Sequence, residues 1–178
     1  MSTVNAKVFR YPSEELRPFP AFEIRCPSTW AADEAPECIV ALYDTEAAEA
    51  FRTNLVIGAD RLDDDVELAD LADAALDDAE ESFTGFALED ERVVDVGGQP
   101  ASLRFQTFEM EGHDQELFQM QLLFFAPQRG RSTKDLFRIH ATCLSDEAEK
   151  YADVFVDIAQ SFRFAGGLDG FSANGADG

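Results

Sequence analysis

Basic side chains are scarce in this sequence. Lys and Arg number 14 against 36 Asp and Glu, so the net charge is −22 at pH 7. A surface this negative repels nucleic-acid phosphates and anionic lipid headgroups, so we expect neither nucleic acid nor membrane as a partner. Histidine is scarcer still, with only His113 and His140. Because neither histidine has a nucleophile nearby or metal-ligand spacing, the sequence predicts no enzyme activity, no cofactor and no metal site.

Cysteines and long apolar runs are also few. The three cysteines, Cys26, Cys38 and Cys143, form no C-x-x-C pair and lie in apolar segments, which is typical of free thiols in a reducing compartment. No run approaches the ~18 consecutive apolar residues of a membrane helix. The first residues lack the basic start and apolar stretch of a signal peptide. We therefore expect a cytoplasmic location.

Apolar residues are plentiful, at 46% of the chain with 16 Phe, which is enough to form a core. Apolar side chains recur at i, i+3, i+4 and i+7 from Leu68 to Phe83 and from Ala148 to Phe162, which predicts two amphipathic helices. Asp64 and Glu67 favour the start of the first helix, and Ser145 can cap the second.

Outside the helices, apolar residues alternate with period two, which predicts strands. Gly-containing turns at 97–100 and 111–114 join neighbouring strands, so we expect a mainly antiparallel sheet. The predicted fold class is α+β, a mainly antiparallel β-sheet packed with two principal α-helices. Residues 1–20 are predicted to form an N-terminal arm, residues 21–164 a single α+β domain, and residues 165–178 a flexible Gly-rich tail.

Period two also gives the sheet two different faces. If the apolar residues of the long strands point into both helices, the residues between them form a polar face, uncharged or positive, on an otherwise negative protein. Such a face suits a ligand or peptide groove, and Arg can hold a carboxylate there. Local acids or the N-terminal arm could instead occupy this face. The candidate binding residues are Arg52, Asn54, Arg104, Phe108, Gln119, Gln121, Phe125, Arg138 and His140.

Acidic residues are concentrated between positions 60 and 95. This stretch holds 15 Asp and Glu and two bases, Arg61 and Arg92, so it supplies −13 of the net charge of −22. Asp65 does not begin a calcium loop, because the position that needs Gly is Asp70. We interpret the stretch as a solvated helix face, with a docking surface for a basic partner as the alternative. Adaptation to salt is a further explanation of the charge.

Four short segments are similar to the motifs of one superfamily. They are Phe22-Glu23-Ile24 with Pro27-Ser28-Thr29-Trp30, Phe51-Arg52-Thr53-Asn54-Leu55, Gly98-Gln99-Pro100-Ala101, and a helix from Tyr151 that closes on Ser161-Phe162-Arg163-Phe164. Over about residues 20–164 the chain resembles the PsbP-like superfamily. The resemblance implies an αβα sandwich without shared catalytic residues. It also implies a bacterial protein close to the LpqN/LpqT-type branch or to the cytoplasmic effector-associated chaperones of secretion systems.

Residues and resemblance together predict a non-enzymatic binding protein. The first hypothesis is a small acidic cytoplasmic chaperone or adaptor that holds an apolar or amphipathic segment of a protein or peptide client on its sheet face. The alternative is a carrier of a small anionic ligand, held by Arg52, Arg104 and Arg138. An enzyme of unknown class is a remote third hypothesis. An edge strand at residues 37–43 could pair two copies into a homodimer.

Overall fold

The computed structural model describes residues 10–13, 15–47, 49–112, 115–127, 130 and 132–165. His113, residues 1–9 of the predicted arm and residues 166–178 of the predicted tail lie outside this part of the chain. The elements are β1 (Phe22–Glu23), β2 (Trp30–Asp33), β3 (Val40–Asp44), β4 (Asn54–Asp63), α1 (Leu68–Ser82), β5 (Ala87–Val96), β6 (Gln99–Glu109), β7 (Glu116–Phe125), β8 (Thr133–Leu144), α2 (Ala148–Gln160) and β9 (Arg163–Phe164).

Seven strands form one sheet in the order β2-β3-β4-β8-β7-β6-β5, and β1 pairs with β9. Every neighbouring pair is antiparallel. Gly97 and Gly98 form the predicted turn between β5 and β6, with φ of 61° and 79°, values that residues with a side chain rarely adopt. The predicted α+β fold class, with two helices and a mainly antiparallel sheet, is confirmed.

The apolar face of the sheet packs against α2. Tyr151, Phe155 and Ile158 lie on one stripe of this helix and are at most 2% exposed. Burial of each large apolar side chain contributes about 1.5–3 kcal/mol, so this stripe holds α2 firmly on the sheet. At one end of the same core, ring centroids 4.9–6.1 Å apart join the aromatic residues Phe22, Phe124, Phe137, Phe162 and Phe164.

The first helix packs on the opposite face, so the expectation that one face receives both helices is wrong. Leu71 of α1 belongs to one apolar cluster with Leu123 and Leu136, which alternate onto the polar side of the sheet. Just after α1, Phe83 stacks on Phe108 with ring centroids 4.2 Å apart. Apolar residues at both ends of the polar face therefore give α1 a surface on which to bury its own stripe. The layers are α1, sheet and α2, an αβα sandwich.

Two local expectations also differ from the structure. In each case a segment distant in sequence is responsible, as a neighbouring strand in the first and as a hydrogen-bond acceptor in the second. Residues 37–43 do not form an edge, since β3 lies between β2 and β4, and the edges are β2 and β5. Ser145 does not cap α2. It begins a 3₁₀ turn that ends at Glu147, and its hydroxyl donates to Glu116 of β7.

Candidate binding site

The strand register arranges the polar residues of the α1 side in two rows across β6, β7 and β8. The first row, here called the arginine row, consists of Arg104, Gln121 and His140. The second, the glutamine row, consists of Gln106, Gln119 and Thr142. Each row is continuous because directly opposed residues of antiparallel strands have side chains about 4.5–5.5 Å apart.

The hydrogen bonds of the arginine row have a fixed direction. Arg104 Nη1 donates to Gln121 Oε1 at 3.2 Å. A guanidinium can only donate, so the oxygen of the Gln121 amide must face Arg104, and the amide nitrogen must face away. That nitrogen lies 3.2 Å from His140 Nε2. Because the Gln121 amide nitrogen can only donate, His140 Nε2 accepts, and the neutral ring carries its hydrogen on Nδ1.

The electrostatics of His140 agree with this neutral form. Burial lowers the pKa of His140 to about 4, and the positive charge of Arg138 contributes to the same shift. The residue is half-buried rather than buried. At neutral pH the residue is therefore an uncharged imidazole, with an acceptor engaged by Gln121 and a donor at Nδ1.

Arg104 anchors the arginine row at its other end. Its Nη2 donates to the Ala72 carbonyl of α1 at 3.0 Å and to Glu91 Oε1 of β5 at 2.7 Å. The side chain is 1% exposed. Arg104 therefore joins α1 to the sheet and at the same time polarises the row that ends at His140.

The glutamine row runs parallel to the arginine row. Gln106 Nε2 donates to Gln119 Oε1 at 2.9 Å, and Gln119 Nε2 donates to Thr142 Oγ1 at 3.0 Å. A hydroxyl that accepts one hydrogen bond can still donate its own hydrogen. Both rows therefore end on β8 in a group that can donate to an acceptor outside the row.

Beside α1, part of the polar face stays partly exposed. Helix α1 reaches β6 through the Ala72 carbonyl, and the side chains of β3, β4 and the middle of β8 that lie on this face are half-buried, whereas most of those on the other face are buried. We call this region the open strip. It comprises Ala41, Tyr43, Asn54, Val56, Arg138 and His140, with Thr142 at its base.

Arg138 lies across the open strip. Its Nη2 pairs with Asp60 Oδ2 at 2.8 Å, and both side chains are more than 40% exposed. A Cβ at Gly58 would lie 3.6 Å from this Nη2, so the guanidinium passes over a position with no side chain. Arg138 Nε is buried and has no hydrogen-bond partner among the described residues. The side chain thus has donor capacity that its ion pair with Asp60 does not use.

Arg52 and Asn54 form one end of the open strip. The Arg52 guanidinium lies 4.5 Å from the centroid of the Tyr43 ring. Asn54 Nδ2 donates to the Arg52 carbonyl at 2.8 Å, which leaves the Asn54 side-chain oxygen as an acceptor. This end therefore offers an aromatic surface, a cation and an amide oxygen.

The structure separates the predicted binding residues into two groups. Arg52, Asn54, Arg138 and His140 lie together at the open strip, with the half-buried Gln119 beside them. The remaining four are buried or packed against neighbours and cannot contact a guest freely. Arg104 and Phe108 are buried near α1, and Gln121 is buried within the arginine row. Phe125 packs in the Leu123 cluster, with the centroid of its ring 5.1 Å from Lys134 Nζ. A binding role for the residues of both groups stays a prediction. Sequence reasoning missed Tyr43 and Val56, although period two counted from Asn54 would have indicated Val56.

The described residues outside the open strip show neither a metal site nor a reactive thiol. No group of three or more His, Cys, Asp and Glu is placed to hold a metal ion within the described residues. All three cysteines are free, and burial, followed by the charges of Glu147 and Asp146, raises the pKa of Cys143 to about 12, which makes it inert. Neither helix of this part of the chain is long and apolar enough to cross a membrane.

No protein-family model and no curated protein sequence matches the chain. Solved structures do match. One is LpqN of Mycobacterium tuberculosis, described as involved in cell envelope biogenesis, with a TM-score of 0.70 and 17% identity over 83% of this chain and 84% of LpqN. Another is the cyanobacterial PsbP of Synechocystis sp. PCC 6803, with a TM-score of 0.53 and 18% identity over 81% of this chain and 86% of PsbP. The predicted resemblance is confirmed, and the protein has the PsbP-like fold.

Proposed function

We propose that this protein is a non-enzymatic binding protein, a small acidic chaperone or adaptor that holds an amphipathic segment of a client protein in the open strip. The observation that carries the proposal is the composition of this strip. It combines the apolar surface of Val56 and Tyr43 with polar groups on β8 that can still donate hydrogen bonds. Sites with mostly apolar contacts and a few placed polar groups are typical of specific binding.

The charge of the protein supports a carrier of apolar segments. A net charge of −22 keeps a protein soluble while it presents an apolar surface. The PsbP-like fold itself does not identify an activity, because one fold serves many functions.

A matched pair of substitutions tests the proposal. Val56→Asp places a charge in the open strip, and Val93→Asp makes the same change on β5, where Val93 is 76% exposed. Val56 is already half-buried, so a client buries only the rest of its side chain, but Val56→Asp also places an unpaired carboxylate beneath the client, and together these should weaken client binding at least about tenfold. Val93→Asp should leave binding unchanged.

The measurement is quantitative mass spectrometry of proteins that co-purify with the tagged wild type and with each variant. Circular dichroism and a urea titration check that both variants remain folded. If both variants retain the same co-purifying proteins in the same amounts as the wild type, the open strip is not the client site.

A cytoplasmic location is part of the proposal. The three free cysteines suit a reducing compartment, because thiols persist there without forming disulfides. The structural relative LpqN is described as involved in cell envelope biogenesis, so location needs its own test. Fractionation of cells that express the protein should place it with cytoplasmic markers, and recovery with the envelope fraction would contradict this part of the proposal.

A further inference from the structure

The arginine row controls which atoms of His140 a guest can use. Because Arg104 fixes the Gln121 amide and the amide occupies His140 Nε2, a guest can meet only the Nδ1 hydrogen of His140. A guest group that donates finds no acceptor on this ring. Arg104 and Gln121 are buried, so they act on a guest only through His140.

We infer that Arg104 and Gln121 are positioning residues that make the β8 side of the open strip a surface of hydrogen-bond donors, and that its occupant is an extended peptide segment whose backbone carbonyls accept from it. The occupant part of this inference rests on the proposed function. The part about His140 does not.

The spacing of the donors on β8 matches an extended chain. Arg138 and His140 are alternate residues of one strand, so they lie about 6.6–6.8 Å apart, whereas Thr142, the next alternate residue, is buried beneath the strip. An extended peptide presents one carbonyl to the same side every second residue, at the same interval. The Asn54 side-chain oxygen adds an acceptor for a peptide N–H at the end of the strip.

The charges favour an uncharged acceptor over a carboxylate. The Arg138 guanidinium is already paired with Asp60, and His140 Nε2 is already engaged by Gln121, so neither group offers a free cation. A carboxylate would also approach a protein with a net charge of −22. A backbone carbonyl accepts the same hydrogen bonds without that repulsion, so the structure favours the peptide client over the small anionic ligand.

Long-range ¹H–¹⁵N NMR of the imidazole ring of the full-length protein tests the inference without a ligand. At neutral pH, His140 should be neutral with its hydrogen on Nδ1, as the geometry of the arginine row requires. A ring with its hydrogen on Nε2 would overturn the inference.

Gln121→Glu should change this signal, because a carboxylate accepts from both Arg104 and His140 and favours the protonated ring. The pKa of His140 should then rise above its wild-type value. Gln119→Glu is the matched control in the glutamine row, and it should leave the hydrogen on Nδ1. If Gln121→Glu does not fold, Gln121→Leu removes the donor to Nε2, and the preference for Nδ1 should disappear. An unchanged His140 in the folded Gln121 variant would overturn the positioning role.

Blocked, uncharged peptides that scan the sequence of a co-purifying client test the occupant, with benzoate as a carboxylate probe. At least one peptide should bind the wild type and bind Gln121→Leu, in which His140 no longer keeps its hydrogen on Nδ1, severalfold more weakly, and benzoate should not displace it from the wild type. Displacement by benzoate, or equal peptide affinity for both proteins, would overturn the inference about the occupant. If the Nδ1 hydrogen is found but Val56→Asp leaves co-purification unchanged, the proposed function fails and the positioning role of Gln121 stands.

Discussion

Arg104→Met tests how α1 is held on the polar face of the sheet. Methionine retains the apolar length of the side chain but removes its donors, so the Ala72 carbonyl and the Gln121 oxygen lose their partner. A hydrogen bond to a charged group contributes about 1.5–3 kcal/mol to stability, and removal of one partner of a buried ion pair costs about 3–5 kcal/mol. Glu91 is 40% exposed and can be solvated once it is free, which reduces the loss. We expect the free energy of unfolding to fall by about 2–4 kcal/mol.

Arg92→Met is the control, since the same change then affects a pair on the surface. Arg92 lies 3.6 Å from Asp90, and both side chains are about half exposed. Exposed pairs contribute about 0–1 kcal/mol, so this variant should be within about 0.5 kcal/mol of the wild type. Urea unfolding followed by the fluorescence of Trp30, the only tryptophan, measures both. Equal losses in the two variants, or a loss below about 0.5 kcal/mol for Arg104→Met, would refute the anchoring role.

Three further predictions concern pH, salt and the N-terminal arm. The pKa of His140 is about 4 in the folded protein and about 6.5 in the unfolded chain. The contribution of the neutral ring to stability is therefore complete above about pH 6.5 and is lost as the pH falls toward 4. The urea midpoint of His140→Gln should fall less over this pH range than that of the wild type, and the same fall in both proteins would contradict the lowered pKa. Asp73 and Asp77 are four residues apart on α1, so their charges repel each other. Salt screens this repulsion, so stability should rise between about 0.1 M and about 1 M NaCl, and it should rise less when both residues are replaced in D73N/D77N. An equal rise would exclude this repulsion as the cause. Asp135 is 2% exposed and accepts from Arg17 of the arm, so Asp135→Asn should speed proteolysis at residues 10–20, and an unchanged cleavage rate would contradict that contact.

The elements of the fold could be predicted from sequence because local periodicity determines them. The stripe of Tyr151 and Phe155 indicates α2 directly, since burial of one helix face requires that spacing. Turns such as Gly97-Gly98 mark the hairpins, because positive φ requires glycine there.

The side of the sheet on which α1 lies could not be predicted from periodicity alone. Alternation separates two faces, but it does not say which helix covers each of them. The signal was present in Leu123 and Leu136, which alternate onto the polar face and would be exposed there without a cover. Arg104 illustrates the consequence. It was expected to contact a guest and instead contacts the Ala72 carbonyl of α1.

The candidate site was predicted residue by residue, but its organisation was not. Arg52, Asn54, Arg138 and His140 were all expected on one face, and the structure brings them to the open strip. The direction of the arginine row depends on the pairing of three strands that are distant in sequence, so no local pattern contains it. The neutral state of His140 is likewise a consequence of tertiary contacts.

Photo-cross-linking from single positions can show whether a client binds in the open strip. A photoreactive residue at position 56 lies in the open strip, and one at position 93 lies on the exposed edge strand β5. We expect position 56 to cross-link to one defined segment of a client in living cells, and position 93 not to do so. Cross-links to the same segment from both positions, or from position 93 alone, would contradict it.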